Sequence, residues 1–178
     1  PNGIAIDKQG KIWFCDSGQR SIRRFDPAIE KTGTILDKID GEPLNKPNDL
    51  AFDTSGNLLF TCPGESRQEP TGYAVVHMRD GTVKKFTTGK YFPNGLAFSA
   101  DGKTLVLAET YKHRLWKGAW NAETGEWTDA TVWATVEGPN GPGGPDGMAF
   151  GDDGNLYVAV YGTGYIHVVS PDGKVIQK

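Results

Sequence analysis

The 178-residue chain holds little of what several large function classes require. Only 2 of its residues are cysteine, Cys15 and Cys62, and 3 are histidine, with no zinc-ligand spacing among them. Lys and Arg total 19 against 22 Asp and Glu, a net charge of −3 with the signs mixed along the chain. That balance gives no electrostatic footprint for nucleic acid or an anionic membrane surface. No apolar run approaches the ~20 residues of a membrane-spanning helix. No Gly-x-Ser-x-Gly nucleophile elbow occurs, and no Gly-rich phosphate loop. Signals for amphipathic helices are all but missing. The best candidate, "NAETGEWTDATVW", contains a Gly and β-branched residues and reads as a hairpin turning at Thr124-Gly125.

What the chain has in abundance is punctuation: 24 Gly and 11 Pro, spread at intervals. Pro-Asn-Gly at Pro1–Gly3 returns as Pro47-Asn48-Asp49, Pro93-Asn94-Gly95 and Pro145-Asp146-Gly147, each followed by an apolar run, "IAID", "LAFD", "LAFS" and "MAFG". Repeats therefore start near residues 1, 47, 93 and 145. Each continues through a polar Gly turn ("DKQGK", "DTSGN", "SADGK", "GDDGN") into a second strand ("IWFCD", "LLFTC", "TLVLAE", "LYVAVY"). Third and fourth strands follow, the fourth being the weakest signal. Four short antiparallel strands in a repeat of this length predict an all-β fold, a β-propeller built of four-stranded blades. About four blades are present, forming one domain over residues 1–178. The cysteines fall at nearly equivalent places in successive repeats and are expected to be buried free thiols.

Propeller symmetry gives the motif its functional interest. The innermost strand of each blade lines the central channel, so Asn2, Asn48, Asn94 and Asp146 are expected to converge on the axis. Three amide oxygens and one carboxylate are hard donors suited to Ca²⁺, Mg²⁺ or Mn²⁺. The competing reading is structural, since Asn and Asp also form turns with Pro and Gly. Asp146 adds charge at one copy only, and the second copy keeps Asn48 while giving up the Gly. Both details favour a ligand ring. Glu65 and Glu109, near the ends of second strands, and His113, just beyond one, are candidates for the substrate rim. Trp13, Phe60, Trp116 and Tyr157 are read as packing between blades.

The stretches "KPNDLAFDTSGNLLFT", "FPNGLAFSADGKTLVLAET" and "GPDGMAFGDDGNLYVAVYG" resemble the gluconolactonase / regucalcin / luciferin-regenerating enzyme family of six-bladed propellers. The resemblance implies a divalent metal on the axis, calcium first, with magnesium, manganese or zinc as alternatives. It implies Asn94 and Asp146 as metal ligands, and Asn48 as a ligand or a substrate contact beside the metal. Asn2 stays a ring member on geometry alone. The family's glutamate ligand would lie upstream of Pro1, so the expectation is a six-bladed ring completed by a further segment or a second chain, the alternatives being a closed four-bladed ring or a site that has lost this ligand. The implied activity is hydrolysis of a sugar lactone or similar small ester, with Asp146 as catalytic base. The alternatives are a phosphotriesterase-like hydrolase on the same geometry and a non-catalytic binding scaffold. The scaffold reading is suggested by the likeness of the first copy to an NHL repeat. Small-molecule substrates are the expected partners, not nucleic acid or membrane.

Overall fold

Four antiparallel four-stranded sheets follow one another along the chain in the computed structural model, which describes residues 1–178. Blade one comprises β1 (Ile4–Ile6), β2 (Ile12–Asp16), β3 (Ser21–Asp26) and β4 (Lys31–Leu36). A small hairpin, β5 (Lys38–Ile39) and β6 (Glu42–Pro43), precedes blade two. Blade two is β7 (Leu50–Phe52), β8 (Leu58–Cys62), β9 (Gly72–His77) and β10 (Val83–Lys90). Blade three is β11 (Pro93–Phe98), β12 (Thr104–Glu109), β13 (Arg114–Asn121) and β14 (Glu126–Thr135). Blade four is β15 (Gly144–Phe150), β16 (Leu156–Tyr161), β17 (Tyr165–Val169) and β18 (Val175–Gln177). The one helical element is a 3₁₀ turn at Thr110–Lys112, and no helix is long and apolar enough to cross a membrane.

Each sheet runs in chain order from its first strand to its fourth. The first strands pack on one another in succession, β1 on β7, β7 on β11 and β11 on β15, which is propeller geometry. The apolar residues fall into three clusters, one at each interface between neighbouring blades. Cys15 and Ile22 of blade one meet Leu58, Phe60 and Cys62 of blade two. Leu59 and Val76 meet Leu105, Leu107 and Trp120. Val106, Ala108 and Leu115 meet Val158, Val160 and Val169.

Strand burial follows each strand's neighbours. All five residues of β8 are buried, because blade two is covered on both faces. In β16 burial alternates, with Leu156, Val158 and Val160 inside and Tyr157 and Tyr161 exposed. Tyr157 is thus not packed between blades as its place in the repeat suggested. Its hydroxyl instead donates to Asp153 Oδ2 at 3.0 Å. Phe60 is fully buried, and Trp13 packs edge-on against Phe52 at 5.6 Å. Both cysteines are buried and free, and burial raises the thiol pKa of each, Cys62 to about 12.

The turns after the first strands owe their shape to local carboxylates. Asp7 Oδ1 accepts from the Gln9 and Lys11 amides, both at 2.9 Å, while Gly10 takes φ +76°. The next repeat places Asp53 and Gly56 (φ +82°) in the same roles.

Candidate active site on the propeller axis

The Pro-Asn-Gly motif is a bulged strand and not a turn. In β11, Pro93 pairs with Glu109 and Leu96 with Leu107, so three steps along one strand match two along the other. Asn94 and Gly95 therefore stand opposite the single residue Ala108. Pro145 with Val160 and Met148 with Val158 repeat this in blade four, placing Asp146 and Gly147 opposite Ala159. In blade one the Asn2 amide donates to Cys15 O at 2.8 Å and the Cys15 amide to Gly3 O at 3.0 Å. In blade two the Asn48 amide donates to Thr61 O at 2.9 Å and the Thr61 amide to Asp49 O at 2.9 Å. A bulge of one extra residue re-aims side chains, and the same device recurs in all four blades.

Glycine follows the Asn in these bulges because neighbouring blades approach too closely for a side chain. A Cβ on Gly95 would lie 2.1 Å from Asp146 O, and one on Gly3 would lie 2.5 Å from Asp49 Oδ1. Neither residue has a positive φ, so space and not backbone conformation selects glycine there. Where the second copy carries Asp49, its carboxylate reaches the next blade and accepts from the Leu96 amide at 3.3 Å.

Hydroxyls just beyond the second strands stitch the same region together. Ser17 Oγ donates to Pro47 O, and Thr110 Oγ1 donates to Pro145 O at 2.8 Å. Thr110 also accepts from Asn94 Nδ2 at 3.1 Å, which fixes the amide's rotation. Asn94 is buried, and its Oδ1 has no hydrogen-bond partner. A buried, unpaired amide oxygen is costly and calls for a donor or a cation. Asp146, half-buried, makes no ion pair. Burial raises its pKa above the usual carboxylate range, offset in part by Asn94 and the Gly147 amide. Asp49 is raised to about 6, chiefly by burial, with the charge of Asp146 adding to the effect. Two carboxylates and a buried free amide oxygen thus share one end of the molecule.

This donor set fits a hard divalent cation. It consists of oxygens, it contains an unpaired one, and neither of its carboxylates belongs to an ion pair. No three His, Cys, Asp or Glu side chains converge anywhere, so any cation here rests on the amides as much as on the carboxylates.

Of the other residues read from the sequence, Asn2 is exposed in the bulge of blade one, where the amide of the following Gly3 donates to Asn48 O at 2.7 Å. Glu65 is exposed and bonded to Lys46 Nζ. Glu109 is wholly buried, with Oε1 accepting from the Tyr91 amide and Oε2 from Arg114 Nε and Trp116 Nε1, each at 2.6 Å. With both oxygens taken, it braces blade three and presents none to a substrate. His113 has φ +52°, and its Nε2 lies 3.1 Å from Gly143 O, which ties it to the 138–144 loop. Asp49 and Thr110 join the site only through the fold: the loss of Gly at Asp49 is a visible signal for the first, whereas nothing in the bare sequence points to Thr110.

Residues 30–178 match the family model described as "SMP-30/Gluconolactonase/LRE-like region". The chain is 31% identical to the gluconolactonase of Zymomonas mobilis over 98% of its own length and 52% of that protein. It is 37% identical to the diisopropyl-fluorophosphatase of Loligo vulgaris over 75% of its length and 46% of that protein. It superimposes on a gluconolactonase of Xanthomonas campestris with a TM-score of 0.83 at 28% identity, over 98% of this chain and 60% of the other. The chain spans about half the length of the curated relatives it matches.

Proposed function

The chain belongs to the SMP-30/gluconolactonase/LRE-like family, and from that premise we propose that it hydrolyses sugar lactones or related small esters at the axial cluster. Asn48, Asn94 and Asp146 would hold a divalent cation there, with calcium the best match to an all-oxygen set of amides and a carboxylate. Such a cation would supply Lewis-acid polarisation of the substrate carbonyl. The observation that carries the reading is the buried, unpartnered Oδ1 of Asn94 beside the half-buried Asp146.

The chain's own groups account for the remaining chemistry. Thr110 fixes the Asn94 amide so that its oxygen, not its nitrogen, is left free. Asp146, as a carboxylate of raised pKa, accepts a proton from the water that adds to the carbonyl carbon. The ring C–O bond then breaks and Asp146 returns the proton to the departing ring oxygen, giving the hydroxy acid. Asp49 contributes a second negative charge between blades two and three and orients the Leu96 amide.

Hydrolysis of D-glucono-1,5-lactone, followed by acid release with and without chelator, tests the proposal. Chelator-sensitive turnover that is lost in Asp146→Ala supports it, and full activity in that variant refutes the role given to Asp146. A second reading, hydrolysis of organophosphate esters, is favoured by the 37% identity to the Loligo vulgaris enzyme. Diisopropyl fluorophosphate in the same assay ranks the two.

A further inference from the structure

Beside the axial cluster the rim carries cations seated on aromatic rings. Arg67, in the loop between β8 and β9, holds its guanidinium 5.8 Å from the Phe92 ring centre and 5.6 Å from that of Tyr111. Those two rings meet edge to face at 5.1 Å. Lys112 Nζ sits 3.9 Å from the Tyr91 ring centre. Neither Arg67 nor Lys112 belongs to an ion pair, and both are exposed. Glu65, whose acidity Arg67 helps to raise, is already taken by Lys46.

The platform beneath Arg67 is tied to the axial donors by hydrogen bonds. Phe92 adopts φ +58°, a left-handed conformation unusual for a bulky side chain. Its amide donates to Ser66 Oγ at 2.9 Å, and its carbonyl accepts from the Thr110 amide at 3.2 Å. Thr110 in turn accepts from Asn94. Phe92 lies two residues before Asn94 at the entrance of β11, and Tyr111 follows Thr110 past the end of β12. Because Pro93 pairs with Glu109, both rings stand at the Asn94 end of the blade.

We propose that Arg67, on its Phe92–Tyr111 platform and supported by Lys112, is an anion subsite that selects lactones bearing a carboxylate or phosphate away from the scissile ester. The inference rests on the lactonase reading above. A guanidinium held near two ring faces is partly positioned before substrate arrives, so less side-chain freedom is lost on forming a paired contact to an oxyanion. The axial carboxylates by themselves would repel such a substrate, and unpaired cations on the rim offset that repulsion.

The test compares 6-phospho-D-glucono-1,5-lactone with D-glucono-1,5-lactone in the wild type, Arg67→Ala and Arg67→Lys. The wild type should prefer the phosphorylated lactone. In Arg67→Ala the ratio of kcat/KM values, phosphorylated over neutral, should fall roughly ten-fold, mostly through KM, with Arg67→Lys intermediate. An unchanged ratio in Arg67→Ala, or a wild type that prefers the neutral lactone, overturns the subsite. If neither lactone is turned over, the lactonase reading fails, and calorimetric binding of 6-phospho-D-gluconate still decides the subsite. Affinity that drops in Arg67→Ala supports the subsite, and affinity that does not drop, or no binding at all, overturns it.

Discussion

Asn94 Nδ2 donates to Thr110 Oγ1 at 3.1 Å, and the Thr110 hydroxyl donates in turn to Pro145 O at 2.8 Å in the next blade. One hydroxyl thus sets the rotation of an axial amide and joins the blades that carry Asn94 and Asp146. Thr110→Val keeps the shape but strands both the Asn94 amide and the Pro145 carbonyl. Calcium affinity should fall about ten-fold or more, as with the loss of other outer contacts to metal ligands, and calorimetric titration reads it directly.

The spacing between inner strands gives a paired prediction. A Cβ on Gly95 would meet Asp146 O at 2.1 Å, whereas one on Gly147 has nothing within 4 Å. Gly95→Ala should destabilise by roughly 2–4 kcal/mol, because backbone must move to relieve the clash. Gly147→Ala should be near neutral. Chemical denaturation of the two variants checks the difference.

Asp49 links pH to stability in the direction opposite to most carboxylates. Its pKa is raised from 3.8 to about 6 by burial and by Asp146, so the folded state binds its proton more tightly than the unfolded chain. Stability is then undiminished below about pH 4 and is lost as pH rises through 6. Asp49→Asn removes that cost and should gain about 1–3 kcal/mol at pH 8 in chelator, the gain fading as pH approaches 4. Melting curves across that range test it.

Glu109 behaves in the ordinary sense. Burial by itself would raise its pKa, but donation from Arg114, Trp116 and the Tyr91 amide outweighs burial and holds it below 4.5. Its stabilisation is present above pH 4.5 and is lost as pH falls through the depressed value. Glu109→Gln turns an acceptor pair into an amide facing Arg114 and Trp116 donors. It should cost about 3 kcal/mol near neutral pH, with the difference from wild type narrowing in acid. Urea titrations at pH 7 and pH 3.5 measure both.

Which parts of this were readable from sequence follows from what repeats. Blade strands recur with the same polar Gly turns, so the second strands, the hairpin at Thr124-Gly125 and the inner position of Asn48, Asn94 and Asp146 could be placed by register. The motif's backbone could not, because Pro-Asn-Gly serves a turn and a bulged strand equally well. Its glycine is required by a neighbouring blade at Gly3 and Gly95 but not at Gly147, a difference the repeat does not show. Glu109 looks like a rim residue because it ends a strand, yet its partners lie on two other segments, Tyr91 before β11 and Arg114 and Trp116 on β13. Thr110, Arg67 and Phe92 act through contacts outside the repeat, and a periodic reading is blind to them. Tyr157 was misplaced because its repeat equivalents are covered by a next blade and its own face is open.

If the axial amides and Asp146 form a cation site, calcium titrated into chelator-stripped protein should give saturable, one-to-one heat in the wild type. That heat should be lost in Asn94→Ala and in Asp146→Ala while both variants keep the wild-type circular dichroism spectrum. Calcium binding of equal strength in all three proteins, or none in the wild type, would contradict the cation site.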